Sequence, residues 1–322
     1  MKKSVVVWML LLAFNGLSCD IRNMTVSLTP DDTKNRISLL YRNRYATKTF
    51  SSLTYKATTA ISGNRHSGVI LLPEMESQEH TETYSVMEVR GVYNFSDRWR
   101  VIGSFPFIRN ERIINDQRQF VIDGVGDPFI MAKYNIVRTN KVEANEVNHR
   151  WTIGGGVKLP LGKFDFEYQG TRIQHDIQAG TGTFDFLFAM DYLIKYKKVG
   201  LLLSSNYKLN TYNEQADYMF GNTLNTTLNL FYAKKLKNLT FLPYLGTYYE
   251  HGSTDIEHGK YENNTGGSLV FGTIGTQLFI NRIQLELLFQ QTLVNQLNGT
   301  LQLYTKTGFN SGFIIYLINL KT

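Results

Sequence analysis

Two histidines and two acids fall within one short polar stretch, His251, Asp255, Glu257 and His258. Imidazole nitrogens and carboxylate oxygens are metal ligands, so this group is the first candidate for chemistry. Its spacing is loose and matches no metal-binding pattern, which leaves His251 and His258 as weak metal candidates against a plain solvated loop. His66 and His80 belong to a separate polar stretch with no better claim. Serine, histidine and aspartate are all present, yet no His shares a strand face with both a Ser and an acid, as a nucleophile and its base require. Gly154-Gly155-Gly156 is no phosphate loop, because neither a Lys-Ser pair nor a helix start follows it, and glycine there permits bending of a sheet. Cys19 is the single cysteine, which excludes an intrachain disulfide and a cysteine metal cluster. The expectation is a chain with no cofactor and no catalytic step.

What remains is a set of charged residues whose meaning depends on the elements that carry them. Residues 183–196 are the clearest case. Phe184, Phe186, Phe188, Met190, Tyr192, Ile194 and Tyr196 share one parity, and Thr183, Asp185, Leu187, Ala189, Asp191, Leu193 and Lys195 share the other. Successive strand side chains point to opposite faces, so the first set makes an unbroken apolar wall and the second a mixed surface. At about 3.3 Å per residue such a strand reaches roughly 45 Å, enough to cross a bilayer at a tilt. Soluble strands average about five or six residues.

Other segments repeat the pattern. Trp151, Ile153, Val157 and Leu159 oppose Arg150, Thr152 and Lys158; Leu224, Leu228, Leu230 and Tyr232 oppose Thr223, Asn225, Thr227 and Asn229; Ile283, Leu285, Leu287 and Phe289 oppose Gln284, Glu286 and Gln290. No later apolar segment is long enough for a spanning helix, and lipid cannot satisfy an open sheet edge, so a spanning chain of this kind must close its sheet. The fold class expected is all-β, a single antiparallel transmembrane β-barrel of about twelve strands, with ten or fourteen as alternatives. Strands are expected near 36–48, 82–95, 98–112, 126–138, 149–162, 183–197, 199–211, 220–235, 239–251, 266–281, 282–294 and 303–320. Lys197-Lys198, Lys237-Asn238 and Asn281-Arg282 read as tight turns. The polar stretches 49–81, 111–123, 139–148, 163–182, 212–219 and 252–265 read largely as loops at the opposite, extracellular end.

This parity aims Glu88, Arg90, Arg98, Arg100, Lys133, Arg150 and Lys158 inward from the earlier strands, and Asp185, Asp191 and Glu286 inward from the later ones. These lumen-lining residues would form opposed charge walls with a field across the interior. The alternative is that they pair with one another and fill a narrow barrel.

The N-terminus explains how such a chain reaches a membrane. Lys2 and Lys3 precede an apolar run from Val5 to Phe14, followed by Asn15, Gly16 and Ser18, which is the pattern of a secretory signal peptide cut before Cys19. Residues 1–18 are therefore the signal, 19–35 an N-terminal segment and 36–322 the barrel. Lipidation of Cys19 is an alternative fate at the same bond. The net charge of +7 would suit nucleic acid, but export makes outer-membrane lipids and lipopolysaccharide the expected partners. Ser311-Gly312-Phe313-Ile314-Ile315-Tyr316-Leu317 has the spacing of a signal for the barrel-insertion machinery, though the chain ends Leu320-Lys321-Thr322 without a terminal aromatic. The expected location is the outer membrane of a Gram-negative bacterium.

Several stretches, in order, carry a family likeness: Gly124-Val125-Gly126-Asp127 with Tyr134; Gly154-Gly155-Gly156-Val157-Lys158-Leu159-Pro160-Leu161-Gly162-Lys163-Phe164; Gly180-Thr181-Gly182-Thr183-Phe184-Asp185; Asn206-Tyr207-Lys208; and Gly221-Asn222. Over about residues 80–320 the chain resembles the outer-membrane transporter family linked to the meta-pathway of phenol degradation, especially its Bacteroidetes branch. Members of that branch often begin, just after the signal peptide, with a Cys-Asp-x-Cys-Gly-Cys segment that looks metal-binding. Here Cys19-Asp20-Ile21 is kept, but Arg22, Asn23 and Met24 stand in the other places. The resemblance implies a barrel that passes small, hydrophobic or aromatic molecules by passive transport. An outer-membrane lipid hydrolase and a closed structural or sensing barrel are the alternatives.

Overall fold

The computed structural model describes residues 34–60, 68–139, 147–298 and 304–316. The expected signal peptide, residues 1–18, together with Cys19 and His66, lies outside the described residues. Twelve antiparallel strands make the wall. They are β1 (Arg36–Ala60), β2 (Gly68–Asn94), β3 (Trp99–Ile114), β4 (Phe129–Arg138), β5 (Val147–Lys158) and β6 (Asp185–Tyr196), then β7 (Val199–Leu209), β8 (Thr223–Tyr232), β9 (Leu239–Gly252), β10 (Gly267–Ile280), β11 (Ile283–Leu297) and β12 (Tyr304–Tyr316). Each pairs with the next, and β12 pairs with β1 from Arg36↔Tyr316 to Thr47↔Tyr304, so the sheet is closed and no edge is left to lipid. Among the described residues no helix is long and apolar enough to cross a membrane.

The alternation in the sequence becomes the two faces of this wall. On β6, Phe186, Phe188, Met190 and Tyr196 are exposed, as is Phe184 just before it, whereas Asp185, Leu187, Ala189, Asp191 and Leu193 are buried. On β11, Ile283, Leu285, Leu287 and Phe289 face outward, and Gln284, Glu286, Leu288 and Gln290 face inward. An exposed belt of Phe, Ile, Leu, Trp and Tyr around a cylinder is an arrangement that only acyl chains can cover. Lys197, Lys237 and Asn281 take left-handed φ of 53°, 29° and 54°, which the tight hairpins at one end demand. Short turns mark the periplasmic end and long loops the extracellular end.

Three expected loops come out differently. Residues 49–81 are largely strand, because β1 and β2 continue as one hairpin to Ala60↔Gly68. Thr, Ser and charged residues are common there, and a mostly polar run carries no apolar alternation to read. Residues 111–123 extend β3 and then fold back as a strand, Gln117–Val125, through a turn in which Asn115 and Asp116 have φ of 48° and 61°. The stretch 139–148 belongs to the short-turn end, since it joins β4 to β5 below the Arg138↔Arg150 pair.

At the extracellular end the loops carry structure of their own. Between β5 and β6 the chain forms a two-stranded ribbon, Glu167–Tyr168 with Thr171–Arg172, and a 3-10 turn, His175–Ile177. Tyr218–Met219 pairs with Asp255–Glu257, which pairs with Lys260–Glu262, so the β7–β8 and β9–β10 loops share a small sheet.

Candidate functional site

The interior holds most of the charged residues singled out by parity. Glu88, Arg90, Arg100, Lys133, Arg150, Lys158, Asp185, Asp191 and Glu286 are all buried on the inner face. Arg98 is not among them. It precedes β3 in the β2–β3 turn, is exposed, and donates to the Tyr134 hydroxyl at 3.1 Å, because the strand begins only at Trp99 and parity has no meaning in a turn.

Many of these charges sit in ion pairs. Glu88 accepts from Arg42, from Arg90 Nε at 2.6 Å and from Ser104 Oγ at 2.6 Å. Lys133 Nζ meets Asp191 Oδ2 at 2.6 Å. Lys158 Nζ lies 2.5 Å from Asp185 and 3.0 Å from Asp127. Arg44 of β1 reaches Glu250 of β9 at 2.7 Å, and these strands are far apart around the wall, so this pair crosses the interior. Glu286 accepts from Tyr244 and from Gln277, each at 3.2 Å. Toward the short turns the inner face also carries an apolar cluster of Leu193, Leu202, Phe231, Leu242, Tyr244 and Leu288.

A cavity of about 720 Å³ occupies the extracellular half. Arg42, Glu88, Ser104 and Phe129 line it from the wall, and Ile173, Asp176, Tyr218 and Phe220 line it from the loops. Its walls mix carboxylates, guanidinium groups and aromatic rings, a surface suited to small solutes with both polar and apolar parts.

The family-like glycine motifs converge at the rim of this cavity, which sequence reading treated as turn signals alone. Asp127 Oδ1 accepts from the Gly162 N–H at 2.8 Å, and its Oδ2 accepts from the Thr181 N–H at 2.8 Å and the Thr181 hydroxyl at 3.0 Å. Lys158 also donates to Thr181, and Thr183 passes a bond of 2.9 Å on to Asp185. One carboxylate thus fastens both stems of the β5–β6 loop. The signal available in advance was an Asp following two glycines at a strand start, a residue fit to accept several N–H bonds at once.

The body of that loop folds inward. Ile177 is fully buried, and with Ile173 and Ala179 it packs against Tyr84 and Ile122. Asn110 donates to the Ile177 carbonyl at 2.7 Å, and Arg112 bonds both Gln174 and Glu82. The His175 ring stacks on Tyr218 at 3.9 Å between centroids, and the Tyr218 hydroxyl donates to Asp255, which raises the tyrosine's pKa together with its burial. Asp176 keeps solvent access, but the walls that enclose the mouth and the Glu82 carboxylate nearby push its carboxyl up to about 7.

His251, Asp255, Glu257 and His258 do not come together as ligands. His251 Nδ1 shares a bond of 2.9 Å with Ser268 Oγ, Asp255 is taken by Tyr218 and the Gly221 N–H, and His258 pairs with Asp217 at 2.5 Å, which raises the imidazole pKa. Among the described residues no group of three or more potential ligands stands ready for a metal. The His251–Ser268 contact is a cross-strand pair that sequence parity missed, and among the described residues no acid bonds the imidazole to complete a triad.

The chain is similar to several solved structures. An outer membrane channel from Pseudomonas putida F1 superposes with a TM-score of 0.60 at 14% identity, covering 90% of this chain and 99% of that one. The β domain of the Bordetella autotransporter BrkA gives 0.46 at 9% identity, over 89% and 100% of the two chains. The translocator domain of the autotransporter NalP from Neisseria meningitidis gives 0.43 at 10% identity, over 90% and 91%. No curated protein matches the sequence. A family profile does match, over residues 49–297, most of the chain. With the closed lipid-facing barrel, this match places the chain in the outer membrane, and it belongs to the family described as the putative MetA-pathway of phenol degradation.

Proposed function

We propose that this barrel is a passive channel for small molecules, with no cofactor and no catalytic step. The observation that carries this reading is the 720 Å³ cavity inside a closed, lipid-facing wall, lined by polar groups and aromatic rings and reached through the extracellular loops. The fold shared with an outer membrane channel supports it. Phe129, Tyr84, Tyr218 and Phe220 favour solutes with an aromatic or apolar portion, while Arg42, Glu88 and Ser104 offer partners to a hydroxyl or charge. Liposomes containing the purified protein and a series of small phenols, sugars and amino acids test it. Influx of at least one class above protein-free liposomes is expected, and equal leak for every solute would refute it.

A closed structural barrel is the second reading. The cluster around Phe231 and Leu242 and the cross-interior Arg44–Glu250 pair both narrow the passage and favour it. It predicts stable insertion with no flux of any solute.

A further inference from the structure

We infer that the loop between Lys163 and Gly180 is the channel's size filter, and that Asp127 is the positioning residue that holds it in the mouth. The inference rests on the channel reading above.

The loop is a closed unit. Gly180 N–H donates to the Lys163 carbonyl at 2.9 Å, so the two stems meet, as in compact loops whose ends lie together. Gly162 and Gly180 pack backbone to backbone, and a Cβ on Gly162 would stand 2.7 Å from the Gly180 Cα. Beyond that neck the chain turns into the barrel. Ile177 reaches the β2–β3 wall, where Asn110 holds its carbonyl, and His175 reaches Tyr218 on the β7–β8 loop. A segment rooted between β5 and β6 that touches both the β2–β3 wall and the β7–β8 loop lies across the extracellular mouth formed by the described residues.

Asp127 is the fixed end of this strap. It stands at the corner between Gln117–Val125 and β4, on the wall and not on the loop, and its two oxygens accept from one stem each. Lys158 neutralises it at 3.0 Å from the end of β5. An amide in place of the carboxylate keeps one acceptor but turns an NH2 either toward the Gly162 N–H or toward the Thr181 N–H and the Lys158 ammonium, so donor meets donor in both orientations. The wall strands keep their ladder, while the strap loses its anchor.

The test compares wild type, Asp127→Asn, a deletion of 164–179 that joins the already bonded stems, and the deletion carrying Asp127→Asn. One readout is the largest polyethylene glycol that enters the open pore in planar bilayers. The other is maleimide labelling of Ile177→Cys from outside, corrected for the rate of the parent protein that carries Cys19. Heat-modifiable gel mobility confirms that each barrel is folded. The expected result is a larger cut-off for Asp127→Asn and for the deletion, with Asp127→Asn adding nothing once the loop is gone. The thiol introduced by Ile177→Cys should react about tenfold faster when Asp127→Asn is also present, the scale of losing a hydrogen bond to a charged group. If the folded variants share the wild-type cut-off, the filter is refuted while the channel stands. If even the deletion variant carries no current, the channel reading is refuted and the filter with it. An introduced thiol that stays protected in the Asp127→Asn background would refute the anchoring role whatever the currents show.

Discussion

Lys133 on β4 bonds Asp191 on β6 at 2.6 Å although β5 runs between them. The residue opposite Lys133 on β5 is Gly154, and a Cβ there would stand 2.7 Å from the Lys133 Cγ and 3.0 Å from the Ala132 carbonyl. The missing side chain is the gap through which the lysine crosses. Ser204 completes the site by donating to Asp191 at 2.6 Å.

Breaking that pair from one side leaves a buried charge without its partner. Lys133→Met is expected to destabilise the barrel by about 3–5 kcal/mol, whereas Lys133→Met with Asp191→Leu should recover most of the loss. Gly154→Val should act like the single variant by closing the gap. Urea unfolding in detergent micelles, followed by gel mobility, measures all three.

The outer face makes a different demand. Ile153 is exposed midway along β5, opposite Met190 on β6, and both lie in the apolar belt. Ile153→Arg should cost about 2–4 kcal/mol of insertion stability in bilayers, and far less in a short-chain detergent that wraps loosely. Equal loss in both media would mean that Ile153 faces protein instead of lipid.

Within the periplasmic half, Phe231 packs among Leu193, Leu202 and Leu242. Phe231→Ala should cost about 3–5 kcal/mol through the cavity it leaves. Under the channel reading the same change should raise conductance, because the removed ring lies on the inner face. Lower stability with unchanged current would assign the cluster to packing alone.

The docked loop should respond to pH. Asp176 remains open to water within the mouth, yet the walls enclosing it and the Glu82 and Asp255 carboxylates raise its carboxyl from 3.8 to about 7, against the pull of Arg112. The docked state therefore holds a proton that the released state gives up, so docking strengthens as pH falls from about 7 toward 3.8 and weakens as it rises. His175 works the other way. Burial, Arg172 and His258 hold its pKa below 6.5 against the pull of Glu257, so its protonation in acid favours release. In His175→Gln combined with Ile177→Cys, labelling of the introduced thiol, normalised to an exposed cysteine, should slow steadily from about pH 8 to about pH 5, and Asp176→Asn should flatten that slope.

The wall was legible because its physics is periodic. A residue such as Phe188 or Asp191 declares its side by parity alone, and the hairpins at Lys197 and Asn281 need only two residues each. The mouth was not legible, because nothing periodic governs it. Asp127 is one acid among many in the sequence, and only the approach of Gly162 and Thr181 from a distant stretch makes it an anchor. Arg98 was misplaced for the same reason, since a turn resets the alternation that strands obey. The Arg44–Glu250 pair joins residues 206 positions apart, which short-range patterns do not connect.

Single-channel recording in planar bilayers reaches the main proposition most directly. Purified protein should produce discrete, repeatable current steps that vanish when it is heat-unfolded before addition. Membranes that stay silent, with folded barrel inserted in quantity and with the 164–179 loop removed, would contradict a conducting interior.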